Sequence, residues 1–126
     1  MTARIPPKHL RLKRVYEPAA PEDGVRVFID RLWPRGLTKK MAAIDHWMKD
    51  IAPSSELRKW FGHAPDRWTE FRNRYMEELR QHMALLDQIR DLAKEGTVTL
   101  LFGAHDEEHN DAVVLQEVLL KDMHVH

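Results

Sequence analysis

Val98-Thr99-Leu100-Leu101-Phe102-Gly103-Ala104-His105-Asp106-Glu107-Glu108-His109-Asn110 is the stretch that decides the fold. From Thr97 to Phe102 there is no alternation of apolar and polar residues, the pattern of a strand covered on both faces by helices. Gly103 and Ala104 break the run, and polar residues follow to Asn110. A second segment repeats this design: Val27-Phe28-Ile29-Asp30-Arg31-Leu32-Trp33-Pro34-Arg35-Gly36 starts apolar and turns polar. Open α/β sheets bind ligands outside the carboxyl ends of their strands. The two segments therefore predict a rim carrying Asp30, Arg31, Arg35, His105, Asp106, His109 and Asn110.

Outward from these strands, Leu10-Arg11-Leu12-Lys13-Arg14-Val15-Tyr16 alternates apolar and basic and reads as an edge strand. Pro18, Pro21 and Gly24 mark a loop, and Val25 to Leu32 is the next strand. Thr38 to Ile51 fits a helical face through Met41, Ile44, Met48 and Ile51, or a helical turn followed by a short strand over 44–48. Ser54 or Ser55 can cap a helix ending at Phe61. Asp66 can cap a longer one whose Trp68, Phe71, Tyr75 and Leu79 form an apolar stripe. Leu85 to Lys94 reads as another helix, stopped by Gly96, and a last one begins at Asn110 or Asp111 and runs to Lys121. The link between the first two strands is too short for a crossover helix, which suggests an antiparallel pair. The fold class is α/β: a small three-layer sandwich with a mostly parallel sheet of three or four strands. Residues 1–8 read as a flexible N-terminal tail, 9–122 as one domain and 123–126 as a frayed C-terminal tail.

Composition narrows the function. The chain has 126 residues, the size of one domain. Its 20 basic and 20 acidic residues cancel, so bulk charge gives no case for nucleic acid. Cysteine is absent, which removes disulfides and thiol chemistry. No apolar run approaches the ~20 residues needed to span a bilayer, and Met1 to Pro7 lacks a secretory apolar core. A soluble cytoplasmic protein is the expectation; oligomeric state is not set by these numbers.

Each candidate site residue has a structural reading beside its functional one. Arg31 and Arg35 offer planar forks for a carboxylate or phosphate, yet either can pair with Asp30 to lock the turn above Trp33. Asp106 and Asp30 are the candidate catalytic carboxylates. Asp106 as a base requires a raised pKa or a close partner, but it can equally cap its loop or pair with an arginine of the first segment. Asn110 belongs at a helix N-cap, and the helix start adds N–H donors for an anion. His109 joins it as a ligand-binding candidate. His105 and His109 have the spacing of a zinc-binding helix, but Asp rather than Glu follows the first and the segment is a loop, so no metal and no cofactor are expected. The aromatic middle, Trp47, Trp60, Phe61, Trp68, Phe71 and Tyr75, could stack bases but has the spacing of a core.

Asp30-Arg31-Leu32-Trp33-Pro34-Arg35-Gly36 resembles the signature of the YeaO-like domain-of-unknown-function family (DUF 488). Ala52-Pro53-Ser54 with Leu57-Arg58 and Trp60-Phe61, the Phe71, Tyr75 and Leu79 stripe, and Leu100-Leu101-Phe102 leading to Asp106, Asn110, Ala112, Val113 and Leu115 extend the resemblance from about Leu10 to Leu120. It implies a small bacterial cytoplasmic α/β protein and names no activity. The functional expectation is binding of a small anionic molecule at the sheet rim, extended to an enzyme acting on it. The alternative is a nucleic-acid- or protein-binding module without catalysis.

Overall fold

In the computed structural model, which describes residues 5–121, strand β4 (Val98–Phe102) is buried at every position and hydrogen-bonded on both sides. β1 (Leu10–Arg14) pairs with one edge and β2 (Val25–Phe28) with the other, both parallel. β3 (His46–Trp47) adds in parallel to β2, giving the order β1-β4-β2-β3. The sheet is thus four-stranded and parallel throughout, with β1 at an edge as its basic alternation implied. The suggested antiparallel β1–β2 pair does not form, because β4 lies between these strands. The short link instead passes over the sheet: the Thr99 hydroxyl donates to the Asp23 carbonyl at 2.7 Å.

Two apolar layers flank the sheet. On one face, Leu10, Val27, Val98, Leu100 and Phe102 pack with α3 (Trp68–Leu79), α4 (Met83–Glu95) and α5 (Asp111–Leu120). On the other, Val15, Phe28 and Leu101 meet Ala42, Trp33, Leu37 and Ile44, a thinner cover built around α1 (Lys39–Ala42). Thr38 caps α1 by accepting from the Met41 N–H at 3.1 Å, and β3 follows, so the turn-then-strand alternative holds over this stretch. α2 (Ser55–Phe61) is capped by Ser54. Asp66 does not cap α3; Pro65–Arg67 forms a 3-10 turn that runs directly into it, without a side-chain capping bond at Arg67. Of the stretch expected as an N-terminal tail, Ile5 is buried and Pro6 leads into a 3-10 turn over Pro7–His9; residues 1–4 and the tail at 123–126, with His124 and His126, lie outside the described residues. Among the described residues no helix is long and apolar enough to cross a membrane.

The thin face carries a buried ionic knot. Arg26 donates to Asp23 at 2.6 Å and to the carbonyls of Ala42 and Ala43, and Lys13 reaches Asp23 at 3.1 Å. Burial opposes the charge on Asp23, but the Ala20 N–H, Lys13 and Arg26 outweigh it and hold the carboxyl below its ordinary range. Such a knot is costly to break from one side, since it would strand a buried charge.

Gly24 lets the link turn into β2. Its φ is +63°, and a Cβ there would stand 2.1 Å from the Thr97 carbonyl oxygen. Gly36 also has positive φ, +83°, but open space around it. Gly24→Ala should therefore cost about 3 kcal/mol or more, combining strain with a backbone clash. Gly36→Ala should cost only the left-handed penalty of about 1–2 kcal/mol. Urea denaturation of both variants checks this; equal losses would show that the Thr97 contact is not limiting.

Candidate functional site

Because β2 and β4 are parallel neighbours, their carboxyl ends lie side by side. Asp30 follows β2, and its Oδ2 accepts the Gly103 N–H, just past β4, at 2.8 Å. The two polar-ended segments thus meet in space. The indole N–H of Trp47 fixes the Asp30 carbonyl at 2.7 Å, and that of Trp33 donates to Leu37 at 2.8 Å, closing the turn beyond. A cavity of about 550 Å³ opens at this rim, with Asp30, Arg31, Asp106, His109 and Asn110 among its lining residues. His105 joins them; Arg35 does not. The Arg35 side chain is exposed, and its carbonyl accepts the Tyr16 hydroxyl at 3.1 Å.

Residues that the sequence reading left out of the site complete the cavity. Arg58 on α2 and His63 in the following loop line it, as do the aromatic rings of Phe61 and Phe71. Asp111, the first residue of α5, places its carboxyl in hydrogen-bonding contact with Asp30. Asn110 is the N-cap: its Oδ1 accepts from Val113 N–H at 3.1 Å and its Nδ2 donates to the Asp106 carbonyl at 2.8 Å. This cap sets the angle at which α5 starts, and so where Asp111 points.

The two acidic groups of the rim differ in kind. Asp106 is exposed, and its Oδ1 accepts the N–H groups of Glu108 and His109, each at 2.9 Å. Those bonds hold its carboxyl below the ordinary range, helped by the His109 ring 3.0 Å from Oδ2. His109 is thus the close partner of Asp106, and its ring packs edge-on against Trp68 at 5.1 Å. Among the described residues no ion pair joins Asp106 to Arg31 or Arg35. Asp30 and Asp111 go the other way. Loss of water raises Asp30, against the bonds from Asp111 and Gly103 and the charges of Arg58 and His63. Loss of water, then the charge and bond of Asp30, push Asp111 well above the usual carboxylate range. Two carboxyls in contact cannot both ionise cheaply, so each pushes the other's proton affinity up. Tyr75, buried beneath them, is raised by the same burial and by both acids, and donates to the Ile51 carbonyl at 2.7 Å. Among the described residues no cluster of three or more His, Asp or Glu side chains has metal-ligand geometry.

The acid pair has a thermodynamic signature. A carboxyl whose folded pKa lies above its unfolded value of 3.8 binds its proton more tightly when native. It therefore favours folding at low pH, and that contribution is lost as pH rises from the unfolded value through the raised one. Asp111→Asn stays neutral at every pH. Its stability relative to the parent should climb as pH increases from about 4 to 8, measured by chemical denaturation at each pH. A flat difference would mean that Asp111 titrates as an ordinary carboxyl.

A family described as "Inactive DUF488-N3 subclade", DUF488-N3i, matches residues 9–126. The uncharacterized protein YeaO of Escherichia coli (strain K12) is 43% identical over 111 residues, covering 88% of this chain and 96% of that protein. The uncharacterized protein Rv3073c of Mycobacterium tuberculosis (strain ATCC 25618 / H37Rv) is 42% identical over 110 residues, covering 87% and 92% respectively. No solved structure matches the chain. A match from the first strand onward, with bacterial relatives aligned along nearly their whole length, means that this chain belongs to the DUF488-N3i family of YeaO-like proteins.

Proposed function

We propose that this protein binds a small anionic molecule in the cavity at the ends of β2 and β4. One observation carries the reading: Arg31 and Arg58 both line the cavity, and neither forms an ion pair among the described residues. The Nε of Arg31 is buried without a hydrogen-bond partner, and its Nη2 reaches the carbonyls of Ala52 and Pro53 only at 3.5 Å. An unsatisfied buried donor costs about 1–3 kcal/mol, which an anionic oxygen drawn to that guanidinium would offset. The N-terminus of α5 is a poorer anion site, because the Asp111 carboxyl already stands there as an acid.

Binding without turnover is the form the reading takes, supported by the description of the subclade as inactive. Turnover is the second reading, favoured by the Asp30–Asp111 pair, whose raised carboxyls are of the kind that serve acid–base chemistry. Nucleic-acid binding has less support. The basic strand that would form its surface is engaged elsewhere: Arg11 donates to Glu22, Lys13 to Asp23 and Arg14 to Ala104. The aromatic rings Phe61, Phe71 and Tyr75 pack as core. The absence of cysteine supports a cytoplasmic setting for the protein.

The test is isothermal titration with inorganic phosphate and a nucleoside monophosphate. The parent should bind weakly, and Arg31→Gln and Arg58→Gln should each lose about tenfold or more. Arg35→Gln, outside the cavity lining, is the comparison and should lose much less. A parent that binds neither anion, or arginine variants that bind as the parent does, would end this reading.

A further inference from the structure

The cavity has two poles, and neither is neutralised from within. Asp30 and Asp111 stand together at the junction of the β2 end and the α5 start. Arg58 on α2 and His63 beyond it act on Asp30 through space, yet among the described residues neither forms an ion pair with it. Elsewhere the chain closes such gaps: Arg26 meets Asp23, Arg72 meets Glu117, and Arg74 meets Glu70. At the cavity the opposite charges face the same space and remain separated.

We propose, resting on the anion-binding reading, that the ligand is a small zwitterion of the apolar amino-acid class, its ammonium on the Asp30–Asp111 pair and its carboxylate on Arg58 and Arg31. An ammonium presents three donors to two carboxyls that together offer more acceptors than Gly103 and the α5 backbone use. A carboxylate suits the planar guanidinium fork. The body of the ligand lies against Phe61, Phe71, Pro53 and Leu32, the apolar part of the lining. Leu32 is 62% exposed, a large apolar side chain left at the mouth with little of its own to cover. The volume of about 550 Å³ falls in the range of small-molecule sites, roughly 300–1,000 Å³. A purely anionic ligand would leave the acid pair unanswered and repelled, and a plain amine would leave the arginines so. Lost water holds the carboxyl pair up, and at Asp30 the charges of Arg58 and His63 offset it only in part.

The experiment titrates the full chain with L-leucine and L-phenylalanine, with N-acetyl-L-phenylalanine, which keeps the acid but not the ammonium, with L-phenylalaninamide, which keeps the ammonium but not the acid, and with inorganic phosphate. At least one free amino acid should bind, and both blocked derivatives should bind about tenfold to a hundredfold more weakly, the range for one lost charged hydrogen-bonding group. Asp111→Asn should weaken the free amino acid by a similar factor while N-acetyl-L-phenylalanine, relieved of one acid, binds at least as well as to the parent, a split that a general loss of structure would not give. Should that variant fail to fold, the derivative series on the parent decides alone. N-acetyl-L-phenylalanine or phosphate binding as tightly as the free amino acids, or phosphate binding while the amino acids do not, overturns the zwitterion and leaves the anion site standing. If neither the acids nor phosphate bind, the anion site itself is wrong.

Discussion

β4 has no free edge. Each N–H and C=O of Val98–Phe102 has β1 or β2 beside it, and each side chain is covered, so the strand can sit in only one place. That constraint propagates. With β4 central and parallel to β2, the two strands must end together, and the chain leaving each must turn polar at the same rim. The Gly103 N–H then finds Asp30 in place of a ladder partner. The site is thus a consequence of where the sheet stops. A Cβ at position 103 would approach the Asp30 oxygen to 3.1 Å, so glycine there keeps that junction unstrained.

How much of this was legible in the sequence depends on the range of the interaction concerned. The unbroken apolar run at Thr97–Phe102 identifies a central strand, since only a strand covered on both faces needs it. The basic alternation of Leu10–Val15 identifies an edge. Both are local signals. The order of strands is not local: the link after β1 is too short for a helix and still crosses β4, because it travels as a loop pinned by the Thr99–Asp23 bond. Nothing in residues 15–24 announces a partner seventy-odd positions away. Asp66 shows the opposite failure, a local capping signal overridden by Pro65, whose ring starts a 3-10 turn instead.

The same distinction separates the acids of the site. Asp106 and Asp111 flank one helix start and look equivalent as sequence. Asn110 between them makes the difference, because its cap turns the backbone from extended to helical. Asp106, before the cap, folds onto its own loop and satisfies the N–H groups of Glu108 and His109. Asp111, after the cap, is carried by the first turn toward Asp30. Arg31 and Arg35 part for a similar reason. Trp47 anchors the Asp30 carbonyl and leaves Arg31 at the rim, while the Trp33–Leu37 bond bends the chain away before Arg35. Arg58 stands in the Leu57-Arg58 pair of the family resemblance, but nothing local ties it to the rim; it reaches the cavity because α2 packs there.

Charge pairing across the molecule gives the site its meaning. Asp23 and Glu117 have cationic partners, and their carboxyls are held below the ordinary range. Arg90 is buried but spends its donors on Asp87 and on the last carbonyls of α5. The fold evidently has the means to neutralise a buried charge when it needs to. At the rim it does not: Asp30 and Asp111 are both raised, and Arg31 keeps a buried donor unmatched. Each of these costs stability, because a desolvated carboxyl and an orphan N–H are both worse placed than in water. Stability alone would favour apolar replacements or a direct ion pair between Asp30 and Arg58. An arrangement that forgoes both, and does so around an open cavity, is the arrangement a polar ligand completes.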